Sequence, residues 1–173
     1  MSDAEVWLRG PVSGVPPLLQ PVAHSLLQSR EELQRVLSDL TPAELRARPA
    51  GGASVEYHVR HAVGSLDRLT TYARGEALTE AQLAALSAEI VPDPREDVGS
   101  RLVAAFLQAV DDVVHQLSAT ADAQLLERRD VGRARLPSTV IGLLVHAAEH
   151  TQRHLGQLTT TARIVRGARG RHP

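Results

Sequence analysis

The sequence predicts an all-α protein, a single four-helix bundle, and three observations carry that expectation. The composition is 43% hydrophobic but only 2% aromatic. The core must therefore be assembled from Leu, Val, Ala and Ile, which suits packed helices better than a sheet sandwich. Four stretches of roughly twenty or more residues repeat their apolar positions at helical spacing, and prolines and capping residues punctuate the chain between them. At 173 residues the chain suits one domain with a sizeable core.

The first long helix is expected over 17–39. Leu18, Leu19, Val22, Leu26, Leu27, Leu33, Val36 and Leu37 mark it, Pro16-Pro17 opens it, and it closes before Thr41-Pro42. Pro21 is tolerable because it lies in the opening turn. A connector over 41–52 carries Pro42, Pro49 and Gly51-Gly52. Ser54 is the expected N-cap of a second long helix running to Arg74 and stopped at Gly75. Thr79-Glu80-Ala81-Gln82 has the capping-box pattern and starts a short helix ending near Ile90, before Pro92 and Pro94.

A third long helix, 95–118, is marked by Leu102, Val103, Phe106, Leu107, Val110, Val113, Val114 and Leu117. Residues 120–136 are charged and read as irregular, with Gly132 in a turn. Ser138 or Thr139 caps the fourth long helix, which runs through Val165. The connection between the second and third long helices is about twenty residues, long enough to cross the bundle, though periodicity alone does not select a topology. Residues 1–166 are expected to form the domain. Residues 167–173, with Gly167, Gly170 and the last arginines of a locally basic run, are expected to be a flexible tail.

A net charge of −1 gives no global attraction to nucleic acid or an anionic membrane. All nineteen basic residues are arginine, which is read first as a coding bias. Without cysteine there is no disulfide, thiolate ligand or cysteine nucleophile, so any thiol in the chemistry arrives with a substrate. Met1 to Gly10 is acidic and short of apolar length, neither signal peptide nor membrane span, and a cytoplasmic protein is expected.

Five of the eight histidines fall in two short windows. His146, His150 and His154 recur at four-residue intervals, which on a helix stacks them along one stripe, each step rising about 6 Å. His146 and His154 are about 12 Å apart along the axis and cannot share one ion. The pair is therefore His146 with His150 or His150 with His154. His58 and His61, three apart on the second helix, are the candidate donors of a third ligand, and at most one of them completes the site. His24 and His115, each alone on its helix, read as ordinary boundary residues, and His172 belongs to the tail. Three neutral imidazoles leave a divalent ion an open position, the arrangement of a catalytic and not a structural site. Ser65 and Gln157 lie on the same stripes and could orient a ligand. Glu149 points about 100° away from His150.

The segments Ser54-Val55-Glu56-Tyr57-His58-Val59-Arg60-His61-Ala62-Val63-Gly64-Ser65 and His150-Thr151-Gln152-Arg153-His154-Leu155-Gly156-Gln157-Leu158, with the helix order and the long second connection, resemble the DinB-like superfamily, which includes the YfiT-like and mycothiol-dependent isomerase branches. The resemblance covers nearly the whole chain. It implies an up-down-down-up bundle with a short extra helix in the long connection, and a divalent metal held by His61, His150 and His154. His58 and His146 are then additional histidines. Some relatives transfer a small thiol to electrophiles.

Two functions follow from that resemblance. One is a metal-dependent thiol S-transferase or thiol-dependent isomerase acting on a small-molecule thiol and an electrophile. The other is a non-catalytic metal-binding stress-response module. A homodimer is expected by analogy. Among divalent ions, Zn²⁺ and Ni²⁺ come first, while Fe²⁺ and Mn²⁺ also accept imidazole and water. Nucleic-acid binding through the arginine tail is the least favoured reading.

Overall fold

The computed structural model describes residues 4–169. The four apolar stretches form α1 (Gln20–Leu37), α3 (Val55–Ala73), α5 (Val98–Ala119) and α6 (Val140–Ala168). Between them lie α2 (Pro42–Arg46), α4 (Glu80–Ala88) and the strands β1 (Arg128–Val131) and β2 (Leu136–Thr139). The expected caps are in place. Ser54 accepts from Tyr57 N, Thr139 accepts from Gly142 N, and Thr79 and Gln82 close a capping box.

Around the bundle α1 packs on α6, α6 on α3, α3 on α5 and α5 on α1. Paired residues give the directions. Gln152 on α6 donates to Ser25 O on α1 (2.9 Å) and Arg166 donates to Val36 O (2.5 Å), so these two helices run parallel. His58 faces His154 while His61 faces His150, which makes α3 and α6 antiparallel. Gln116, near the end of α5, donates to Thr70 O near the end of α3 (3.1 Å), while Gly64 and Ala105 share a groove nearer their starts. These two are parallel. The bundle is up-down-down-up.

The core is built from the predicted rows: Leu26 and Leu33 on α1, Val59 and Leu66 on α3, Phe106, Val110 and Leu117 on α5, Leu144 and Leu158 on α6. Full burial of each such side chain contributes about 1.5–3 kcal/mol. Phe106, the chain's single phenylalanine, lies in the middle of α5 and is completely covered.

Four segments differ from the sequence expectation. The connector at 41–52 contains α2, which starts with its own capping box between Thr41 and Glu44. Residues 120–136 are not irregular: a turn of 3₁₀ helix at Asp122–Gln124 leads into an antiparallel hairpin that pairs Arg128 with Thr139 and Val131 with Leu136. The expected tail is ordered further than foreseen, since α6 continues to Ala168. Arg166 ion-pairs with Asp39, and Arg169 with both Asp39 and Glu44, which fastens the end of α6 to the α1–α2 turn. The first helix also begins with a 3₁₀ turn at Pro17–Leu19. Residues 170–173, including His172, and residues 1–3 lie outside the described residues.

The long connection between α3 and α5 is fastened by polar contacts. None of the nine residues of α4 is buried. Gln82 donates to Asp67 Oδ2 (3.0 Å) and Thr71 Oγ1 (2.8 Å), and Arg60 donates to Ala88 O (2.8 Å) and to Val91 O. A guanidinium on the last carbonyls of α4 also suits the negative end of the helix dipole. Beyond it, Asp93 N donates to the buried Glu56 carboxylate (2.6 Å). Among the described residues no helix is long and apolar enough to cross a membrane.

Candidate metal centre

The histidine windows meet on the α3–α6 seam. Antiparallel packing places α3 residues three apart opposite α6 residues four apart, because both intervals are close to one helical turn. One nitrogen from each of His61, His150 and His154 lies within 4.8 Å of the others. His61 Nε2 and His150 Nε2 are 3.1 Å apart. Two nitrogens that each bind one ion at about 2.1 Å come to about 3.0–3.4 Å from each other at octahedral or tetrahedral angles, so this spacing fits a shared cation. His154 completes the cluster, its ring centroid 4.6 Å from those of both His61 and His150.

The other sequence candidates fall around that trio. His58 is outside the cluster but touches it, with Nδ1 3.0 Å from His154 Nδ1. Each ring has one nitrogen in that contact; when His58 accepts, His154 keeps the lone pair on its Nε2. His146 is half exposed and turns to Glu149 at 3.4 Å. Glu149 is held by Arg153 at 2.5 Å and does not enter the cluster. Ser65 Oγ is 3.4 Å from His61 Nε2, at the edge of the centre. Gln157 is exposed and lines a neighbouring surface groove, with no hydrogen bond to the three rings among the described residues.

A family model for the DinB superfamily matches residues 25–158, a span that takes in both histidine windows. The chain belongs to the DinB superfamily. A crystal structure of the conserved protein of a locus from Enterococcus faecalis superposes with a TM-score of 0.66, covering 87% of this chain and 98% of that one at 20% identity. That likeness is one of fold. No curated protein matches the chain.

Within this DinB-family bundle the electrostatics favour bare imidazoles. Burial, reinforced by the neighbouring rings His61, His150 and His58, lowers the pKa of His154 to about 4. Burial chiefly, with His61 next, also lowers the pKa values of His150 and His58. At neutral pH these rings are uncharged and offer lone pairs, the state a cation requires. His150 Nδ1 is buried and has no hydrogen-bond partner among the described residues. Tyr57 stacks over His61, with the planes within 10° and the centroids 5.6 Å apart.

One residue of the centre has no counterpart in the sequence reading. Glu89, at the C-terminal cap of α4 and only 7% exposed, places Oε2 2.7 Å from His61 Nδ1. Its other oxygen accepts from Arg68 Nη1 at 2.6 Å. Twenty-eight residues separate Glu89 from His61, and the contact depends on how the long connection folds back. The one local sign is an acidic residue at the end of a short helix, where the helix dipole disfavours it.

Proposed function

We propose that this DinB-family protein binds a divalent metal ion through His61, His150 and His154 and uses it as a thiol S-transferase or thiol-dependent isomerase. The observation that carries the metal reading is the convergence of three half-buried imidazoles on one point. The donor set is all nitrogen and neutral, which suits Zn²⁺ or Ni²⁺ first. A divalent ion held there supplies Lewis acidity that lowers the pKa of a thiol reaching it.

The chain's own residues supply positioning. With no cysteine in the sequence, the thiol is a cosubstrate and not part of the protein. A groove of about 600 Å³, lined by Pro49, His58, Arg153, Gln157 and Thr160 among others, adjoins the centre through His58. Its lining is more apolar than polar and includes Arg153, whose guanidinium is paired with Glu149, which suits a small thiol with a largely apolar body. Ser65 Oγ, beside His61 Nε2, is placed to hold a ligand atom at the edge of the centre.

The test begins with elemental analysis of protein purified without a histidine tag. About one equivalent of metal is expected in the native chain and almost none in His61→Ala, His150→Ala and His154→Ala, and full occupancy in all three variants would overturn the assignment. Thiol consumption is then followed with a panel of small thiols and an electrophile. Stoichiometric metal, a fall in melting temperature on chelation and no turnover would favour the non-catalytic metal-binding module instead.

A further inference from the structure

We infer that Glu89 is a positioning residue for the metal centre: through His61 Nδ1 it fixes which nitrogen of His61 faces His150 and His154. The inference rests on the metal reading above only for its consequence, because the contact itself joins two side chains of the protein. A carboxylate can only accept, so at 2.7 Å from Glu89 Oε2 the His61 ring donates from Nδ1, which in the neutral ring leaves the lone pair on Nε2. That Nε2 is the atom 3.1 Å from His150 Nε2. Without Glu89 the proton is free to reside on either nitrogen, and half of that choice blocks the ligand position.

Two neighbours exist in the form this contact needs. Arg68 binds the second Glu89 oxygen and also donates to Ser65 Oγ (3.3 Å), so the carboxylate is held from the side away from His61. Gly64 provides the space. A Cβ there would fall far inside van der Waals contact with Glu89 Oε1 and lie 2.6 Å from Arg68 Nη1. Gly64 sits in the middle of α3, where glycine costs about 1 kcal/mol relative to alanine, and the carboxylate against it accounts for its presence. The helix that delivers Glu89 buries none of its own residues. Its attachments to α3, through Gln82, Arg60 and Glu89, are polar.

Glu89→Gln separates orientation from packing. The amide has one oxygen, and Arg68, which can only donate, claims it. The NH₂ group then faces His61 Nδ1, which has to accept, and the ring proton moves to Nε2. Long-range ¹H–¹⁵N spectra of ¹⁵N-histidine-labelled, metal-free full-length protein at pH 7.5 read this directly, and Zn²⁺ affinity is measured by competition with a chelating dye. The native chain is expected to show the Nδ1–H form of His61. Glu89→Gln is expected to fold with native circular dichroism, show the Nε2–H form, and bind Zn²⁺ about 10- to 100-fold more weakly. Gly64→Ala, which displaces the carboxylate, is expected to weaken Zn²⁺ in the same direction. Retention of the Nδ1–H form in Glu89→Gln, with Zn²⁺ affinity within about twofold of native, overturns the inference. A native chain that takes up no Zn²⁺ while the tautomer still changes in Glu89→Gln sinks the metal reading and leaves the orienting contact standing.

Discussion

The two seams of the bundle that involve α1 with α5 and α3 with α6 are built from opposite materials. On the first, Leu26, Leu33 and Leu37 of α1 and Phe106, Val110, Val113 and Leu117 of α5 all belong to the buried hydrocarbon core. On the second, His58, His61, His150 and His154 occupy positions that in an ordinary bundle would be apolar, and burial drives the pKa of three of these rings down. Lowered imidazole pKa values mean that the fold holds these groups against their preference for solvent. The apolar seam carries stability, and the polar seam spends some of it to keep lone pairs together. A ligand that satisfies those lone pairs would return what the second seam gives up.

The comparison is broken most directly on the apolar side. Phe106→Ala should cost about 3–5 kcal/mol in urea unfolding while leaving the metal content per folded molecule unchanged. A smaller penalty would mean that α5 is not the stabilising wall it resembles. The histidine side is probed through pH. In the unfolded chain His154 titrates near its ordinary 6.5, and in the folded protein near 4. Between those values the unfolded chain binds more protons, so the stability of the metal-free protein should fall as pH drops from about 6.5 towards 4 and level out above 6.5. His58 and His150, lowered in the same direction, steepen the slope. His154→Leu, measured in chelator, should flatten that slope and leave stability at pH 7.5 equal or higher; a pH profile identical to the native one would remove the burial explanation. The smallest effect concerns the element between the seams. Thr79→Ala deletes a capping box and should cost about 1 kcal/mol, with hydrogen exchange quickening in α4 before it changes in α5.

Much of this arrangement was legible in the amino-acid order. The apolar spacing from Leu19 to Leu37 and from Leu102 to Leu117 located two walls of the core, while Leu18 is exposed, and Ser54, Thr79 and Thr139 announced helix starts by side chains that accept from the first turn. The row at 146, 150 and 154 exposed the centre, but spacing left His58 and His61 open because both lie on the face of α3 that meets α6. Only the register of the two helices separates them. The hairpin was hidden because Arg128-Arg129-Asp130-Val131 and Leu136-Pro137-Ser138-Thr139 lack the apolar alternation of a half-buried sheet. Glu89 was hidden for a different reason. A single carboxylate acquires its meaning from a contact across the long connection, and nothing within its own turn of helix encodes the partner.

The hairpin also sets the timing of the whole site along its axis. Arg129 on β1 donates to Ala73 O at the last turn of α3 (2.8 Å), while β2 runs straight into Thr139, the cap from which α6 begins. The end of one histidine-bearing helix is thereby pegged to the origin of the other, like the indexing pin of a two-part gauge. Each residue added between Thr139 and His150 would advance the row by about 1.5 Å and swing it by about 100°, carrying the rings off the seam. Residues added at the exposed hairpin tip around Gly132 would leave the peg untouched and the rings facing one another.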